Sequence, residues 1–179
     1  RASPTATSGC WKSPPHAVAA VGRSQVHGTA HIDGDDGYHL YINGEEVGSS
    51  EDYTQVDAYS FNAGCDTPTT YAIEAYDTGG QGSVIADFVH CGETIRTSTA
   101  WKCHQFGDEG APDGWMTADF DDSAWPDAGD VGDNGVAPWG HRVDISGESH
   151  WIWSQDSFGH DQVRHDDPLV VLFRWTQNY

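Results

Sequence analysis

From Gln25 to Asp33 the small or apolar residues Val26, Gly28, Ala30 and Ile32 alternate with His27, Thr29, His31 and Asp33, the two-residue period of a half-buried strand. The period resumes after an acidic turn at Asp33 to Gly37. Tyr38, Leu40 and Ile42 then take one face, His39 and Tyr41 the other, and Asn43-Gly44 ends the run. Asn and Gly both tolerate the positive φ that a tight hairpin requires, so this pair predicts a reversal into a following strand. Tyr71 to Asp77 and Ser83 to Cys91 repeat the extended pattern on either side of the glycine loop Thr78 to Gly82. That loop lacks the Lys-Ser/Thr of a P-loop and the helical continuation of a dinucleotide fold, and it reads as a turn. Two more strands are predicted at His150 to Ser154 and Pro168 to Thr176. The second is apolar on both faces, as a buried central strand is.

Between residues 104 and 150 the alternation fades, and Trp115, Phe120, Trp125 and Trp139 mark a long connection held by aromatic anchors, with one helical turn at Asp121 to Ala124. No stretch carries a helical period. The expected fold is therefore an all-β antiparallel β-sandwich with jelly-roll topology, long aromatic-anchored loops and little helix. Residues 1–9, rich in Ser, Thr, Pro and Ala, read as a linker-like N-terminal segment, and residues 10–179 as a single domain.

Composition narrows the partners. The net charge of −20, from 28 acidic against 8 basic residues, repels phosphate-rich partners and excludes nucleic acid and anionic membranes. Cations are the natural counter-charge, and protonation of the 10 His would halve the net charge of −20, which makes association sensitive to mildly acid pH. No apolar run is long enough for membrane insertion. The N-terminus has no hydrophobic signal core and reads as a mature product from which the leader has been removed, and there is no Asn-x-Ser/Thr sequon. The 4 Cys include no Cys-x-x-Cys pair; an even number in a Gly-rich β chain predicts disulfides and a secreted, extracellular location. Cys91 and Cys103 bracket two runs expected to be neighbouring strands and are paired on that ground, leaving Cys10 with Cys65, although four Cys allow three connectivities.

Four segments in order carry a family resemblance: Asp35 to Gly44; Thr97 to Cys103; Gly114-Trp115 with Asp119 to Pro126; and Trp151 to Trp153 with Phe173-Arg174. Together they resemble galactose-binding-like jelly-roll modules, such as the accessory β-sandwich domains of α-L-rhamnosidases and related secreted invertebrate or algal proteins. In the rhamnosidase modules the Trp-Ile-Trp and Phe-Arg strands come first, whereas here they come last. In secreted animal relatives a Cys often stands in place of Phe173 and would partner the Cys of Trp-Lys-Cys; its absence leaves the pairing of Cys103 open. The resemblance implies a non-catalytic module that binds carbohydrate or packs against another domain.

The candidate chemistry is concentrated at the acidic turn. Asp33, Asp35 and Asp36 offer hard oxygen ligands that Asn43 and backbone carbonyls would complete as a Ca2+ site. Alternatively the carboxylates only cap the turn by accepting backbone amides. A similar Asp-Asp-Gly corner binds calcium and sugar together in flocculin-type adhesins, which resemble this chain only there. His27 and His31 do not suit one zinc ion, because same-face strand neighbours stand about 6.5 to 7 Å apart and these two are twice that. Together with Asp33 on the same strand face, they read as solvent-facing polar residues. Trp101, Trp115, Trp125, Trp151 and Trp153 read as core or loop anchors. Trp139, between Pro138 and Gly140, reads either as core or, with His141, as an exposed platform against a sugar ring, with Asp35 and Asp36 as hydroxyl acceptors.

No Gly-x-Ser-x-Gly or His-Glu-x-x-His motif is present, and the expectation is a protein that is not an enzyme. The expected function is an extracellular carbohydrate-binding or adhesion module whose partners are glycans or other extracellular proteins. The alternative is a self-assembling subunit of an extracellular matrix, sheath or filament, motivated by Leu169 to Trp175 as a strand donated to a neighbour.

Overall fold

A computed structural model describes residues 24–105, 110–157 and 168–179; the predicted linker 1–9, Cys10 and the predicted polar loop 160–167 lie outside the described residues. The chain forms β1 (Gln25–Asp35), β2 (Gly37–Ile42), β3 (Glu45–Ser50), β4 (Asp57–Gly64), β5 (Thr69–Asp77) and β6 (Ser83–His90). It continues with β7 (Glu93–Arg96), β8 (Lys102–Gln105), β9 (Gly129–Asp133), β10 (His150–Trp153) and β11 (Leu169–Gln177). All strand pairings among the described residues are antiparallel. One sheet has the order β4-β1-β6-β10-β9, with β7 beside β6, and the other β3-β2-β5-β11-β8. The expected antiparallel β-sandwich is what the chain forms. Among the described residues the helical content is a single 3-10 turn at Gln155–Ser157, and the predicted turn near Asp121 to Ala124 is closed by Trp125 N donating to Asp122 O.

Side-chain alternation decides which face of each strand meets the other sheet. Tyr38, Leu40 and Ile42 of β2 are buried against Ala30, Ile32 and Phe88 of the facing sheet. The Asn43-Gly44 hairpin forms as predicted, with φ of 53° and 88° at its two residues. The Asp33 to Gly37 turn behaves differently. It joins no hairpin, because β1 and β2 belong to different sheets, and it is a corner where the chain crosses from one layer to the other.

β11 pairs along its whole length with β5 and lies between β5 and β8. Its apolar character on both faces is thus satisfied within the chain: Phe173 points into the sandwich while Leu172 packs outward under Trp115 and Trp125. The motive for strand donation to a neighbour disappears with that pairing.

The cysteine pairing differs from expectation. Cys65 is bonded to Cys91, and Cys103 is reduced and buried. β4 and β6 flank β1 and both run antiparallel to it, so their C-terminal ends, Gly64 and His90, meet at one end of the sheet and bring the following cysteines together. Cys103 instead sits opposite Phe173 in the β8–β11 ladder, and burial pushes its thiol up to about 12. The Cys91–Cys103 pair is therefore not formed, and Cys65 is not available to Cys10.

Each sheet also carries a cover on its outer face. Over the β3-β2-β5-β11-β8 sheet lies the segment around Trp115 to Trp125, fixed by Arg174. This guanidinium is 1% exposed, donates to Trp115 O (2.7 Å) and Thr117 O (3.1 Å), pairs with Asp122 (3.2 Å) and lies 4.9 Å from the Phe120 ring. Over the other sheet lies the connection from β9 to β10, in which Trp139 and Ile145 pack on Ile85 and Trp151.

Candidate functional site

The strand register gathers several connections at one end of the sandwich. Asp35 lies opposite Ser83, Gly37 opposite Tyr76 and Tyr38 opposite Ser50, so the β1–β2 corner, the β3–β4 loop and the β5–β6 glycine loop meet there. The corner contains a cis peptide between Asp35 and Asp36. Its side chains are tied to the neighbouring loops one by one. Asp36 Oδ2 accepts from Thr78 N (2.7 Å), Asp35 Oδ2 accepts from Trp139 Nε1 (2.8 Å), and Asp77 Oδ1 accepts from Gly79 N (2.9 Å). The glycine loop is thus a turn, as predicted, whose first residues cap the acidic corner.

Asp33 occupies the layer beneath. It points to the outer face of β1, beside Ile85 of β6, and is fully buried. Arg142 from the β9–β10 connection pairs with it, while also donating to Trp139 O (2.7 Å) and Tyr53 O (3.0 Å). One planar guanidinium therefore fastens a buried carboxylate, the covering loop and the β3–β4 loop together. Burial nonetheless dominates the Asp33 carboxyl and pushes it up to about 6, against the attraction of Arg142. Asp35 is raised as well, first by burial and then by the neighbouring carboxylates of Asp36 and Asp77, with the Trp139 hydrogen bond opposing. The only cation bonded to this corner among the described residues is committed to Asp33.

The predicted site residues separate accordingly. Asp35 and Asp36 stand together, half-buried at the rim. Asp33 is next to them but is sealed under Arg142, so the expected solvent-facing role fails at that position, while His31 is bonded to Asp87 (3.0 Å). Asn43 is at the opposite end of β2, where its Oδ1 accepts from Thr70 N (2.8 Å); six strand residues put it about 20 Å from the aspartates. Trp139 is no exposed platform, being only 6% exposed and stacked on Trp151 at 4.6 Å between ring centres. His141 beside it is exposed. Trp101, Trp115, Trp125, Trp151 and Trp153 are all buried, as expected.

A calcium ion fits this set in part. Asn43 drops out as a ligand because of its distance, whereas Asp33 commits only its Oδ2 to Arg142 and its buried Oδ1 has no hydrogen-bond partner among the described residues. Asp35 and Asp36 each keep a carboxylate oxygen outside the bonds just described, and the crowding of like charge at Asp35 is the electrostatic setting that a hard cation relieves. Sequence reasoning missed Arg142 and Tyr53. The scarcity of cations was the available signal for Arg142, since with 8 basic residues against 28 acidic ones each Arg within an aromatic loop is expected to hold something.

No family model matches the chain. No curated protein matches it either. Two solved structures of a lectin from Pleurotus ostreatus are similar. The form in complex with GalNAc is 34% identical with a TM-score of 0.57, and the apo form is 33% identical with a TM-score of 0.54; both alignments cover 75% of this chain and 38% of the lectin chain. This chain thus spans well under half the length of the lectin it matches. A Streptomyces avermitilis α-L-rhamnosidase complexed with L-rhamnose aligns over 66% of this chain and 12% of its own at 20% identity, with a TM-score of 0.43, too low to bear on the site. Fold, corner and similarity agree: the chain is a galactose-binding-like β-sandwich module, similar to part of the Pleurotus ostreatus lectin.

Proposed function

We propose that the protein is a non-catalytic, secreted carbohydrate-binding module that takes galactose-type hexoses, N-acetylgalactosamine among them, at the Asp35–Asp36 corner. The observation that carries this reading is the 34% identity over 75% of the chain to a lectin crystallised with GalNAc. The corner supports it chemically. Carboxylate oxygens at a solvent-facing rim accept sugar hydroxyls, and the hydrogen bonds from Thr78 and Trp139 hold those oxygens in place before the ligand arrives. Asp35 and Asp36, with backbone oxygens, would hold Ca2+, whose role when bound is to neutralise the paired carboxylates and draw sugar hydroxyls to the corner. The Cys65–Cys91 bond supports an oxidising compartment.

Retention on immobilised GalNAc, with elution by free GalNAc and by EDTA, tests the reading, and Asp35→Asn with Asp36→Asn is expected to abolish retention while leaving the fold intact. Absence of retention at millimolar sugar, with and without calcium, overturns it. Retention that survives EDTA removes calcium and leaves the sugar site.

A further inference from the structure

A hexose held by its hydroxyls at an acidic corner still presents an apolar C–H face, and burying that face against an aromatic ring is what makes a shallow site bind. Trp139 does not offer its ring for this, because it is stacked on Trp151 beneath the rim. Among the described residues the aromatic side chains that stand out as exposed are Tyr53, at 47%, and Tyr179, at 38%. Tyr179 follows β11 at the opposite end of the sandwich and has its hydroxyl engaged by Tyr71 (2.8 Å) and His90 (2.9 Å). Tyr53 belongs to the loop beside the corner.

That loop is a built one. Asp52 accepts from Thr54 N and from Gln55 Nε2, each at 3.0 Å, which closes the backbone around Tyr53. Tyr53 O accepts from the same Arg142 guanidinium that pairs with Asp33 and bonds Trp139 O. Since Trp139 in turn donates to Asp35, a single chain of contacts fixes the Tyr53 backbone relative to the carboxylate at the rim. At the root of the loop, Ser50 O lies against Gly37, where an added Cβ would come within 2.6 Å of it, so the loop leaves the sheet directly beside Asp36.

We propose that Tyr53 is the aromatic platform of the site and sets its preference for galactose-type over glucose-type hexoses. An axial 4-hydroxyl leaves the C3, C4 and C5 hydrogens contiguous on one face of the ring, and this face packs on Tyr53 while the hydroxyl edge meets Asp35 and Asp36. An equatorial 4-hydroxyl interrupts neither the edge nor the ring but removes the C4 hydrogen from that face. The inference rests on the carbohydrate reading given above.

The test is calorimetric titration of the full chain with GalNAc and with methyl α-glucoside, for the wild type, Tyr53→Phe and Tyr53→Ala. The expected result is unchanged GalNAc affinity in Tyr53→Phe and a loss of about tenfold in Tyr53→Ala, with the melting temperature unchanged and most of the preference over the glucoside gone. A measurement free of mutation accompanies it: nitration by tetranitromethane, mapped by mass spectrometry, is expected to fall at Tyr53 and not at Tyr179 when GalNAc is present. Wild-type affinity in Tyr53→Ala, or nitration of Tyr53 unaffected by a bound sugar, overturns the platform and leaves the carbohydrate site standing. A wild type that binds no sugar overturns both.

Discussion

The two covers of the sandwich are each stapled by one arginine, and they differ in what the staple holds. Arg174 projects from a central strand into the Trp115–Trp125 segment, and its acceptors, Trp115 O, Thr117 O and Asp122, all belong to that one loop. Arg142 projects from its own loop down to the strand layer, and its acceptors belong to three separate pieces: β1 through Asp33, the β3–β4 loop through Tyr53 O, and the β9–β10 connection through Trp139 O. The first arrangement closes a cover. The second aligns several rim elements at once. A staple confined to one loop sets stability, whereas a staple shared by several loops also sets the geometry of whatever they surround.

Substitutions at the two arginines break this comparison most directly. Arg174→Met leaves two carbonyls and a carboxylate without their buried donor, and the expected loss in unfolding free energy by urea titration is about 3 to 5 kcal/mol, with GalNAc affinity of the remaining folded protein unchanged. If affinity falls with it, the two covers are not independent.

The pH dependence of Asp33 comes next in size. Its carboxyl, raised to about 6 in the folded chain from 3.8, holds its proton more tightly when folded than when unfolded. The stability this group contributes is full below about pH 4 and is lost as pH rises through about 6, in total about 3 kcal/mol. Asp33→Asn has no such titration, so its stability relative to wild type is expected to improve by up to that amount from pH 4 to pH 8 in parallel urea titrations. A constant difference across that range would place the Arg142 attraction above the cost of burial.

Arg142→Met is expected to cost less than its counterpart, about 2 to 3 kcal/mol at pH 8, and less again at pH 5, where Asp33 is able to escape by taking up a proton. Its signature is in binding: GalNAc affinity is expected to drop even where the protein is fully folded. The smallest effect is predicted for Trp139→Phe, which keeps the stacking on Trp151 and removes the N–H donated to Asp35. About 1 kcal/mol of stability and a small decrease in affinity are expected, read by melting temperature and calorimetry.

Much of the sandwich was legible because its inner faces are written in a two-residue period. β2, β5 and β6 show it plainly, and β11 shows the continuous apolar run of a central strand. β4 and β9 escaped notice for the same physical reason. They lie at sheet edges, where one side needs no partner; β4 does turn Tyr59, Phe61 and Ala63 inward but begins with Asp57 straight after a polar loop, and β9 has little inward besides Val131. Missing β4 also hid the Cys65–Cys91 bond, since only the β4–β1–β6 order brings those strand ends together. At the site, the Asp35–Asp36 corner was visible as a local cluster. The arginine that organises its surroundings was not, because Asp33 and Arg142 are 109 positions apart and no local pattern links them.

Asn134 gives the Arg142 cover a further property. Its side-chain amide donates to the carbonyls of Arg142, Ile145 and Ser146, and its Oδ1 accepts from Arg142 N. It is followed by Gly135, the neighbour that most favours spontaneous deamidation through a cyclic imide. Held on all sides, the amide is kept from the geometry that cyclisation needs, so the fold shields this Asn-Gly pair, unlike the Asn43-Gly44 hairpin, where Asn43 is exposed. Were hydrolysis to occur during a transient opening, the resulting aspartate would face three carbonyl oxygens as an acceptor, and the loop would not close again. The cover therefore sets the lifetime of its own Asn-Gly pair: every excursion that frees Asn134 is a chance to age.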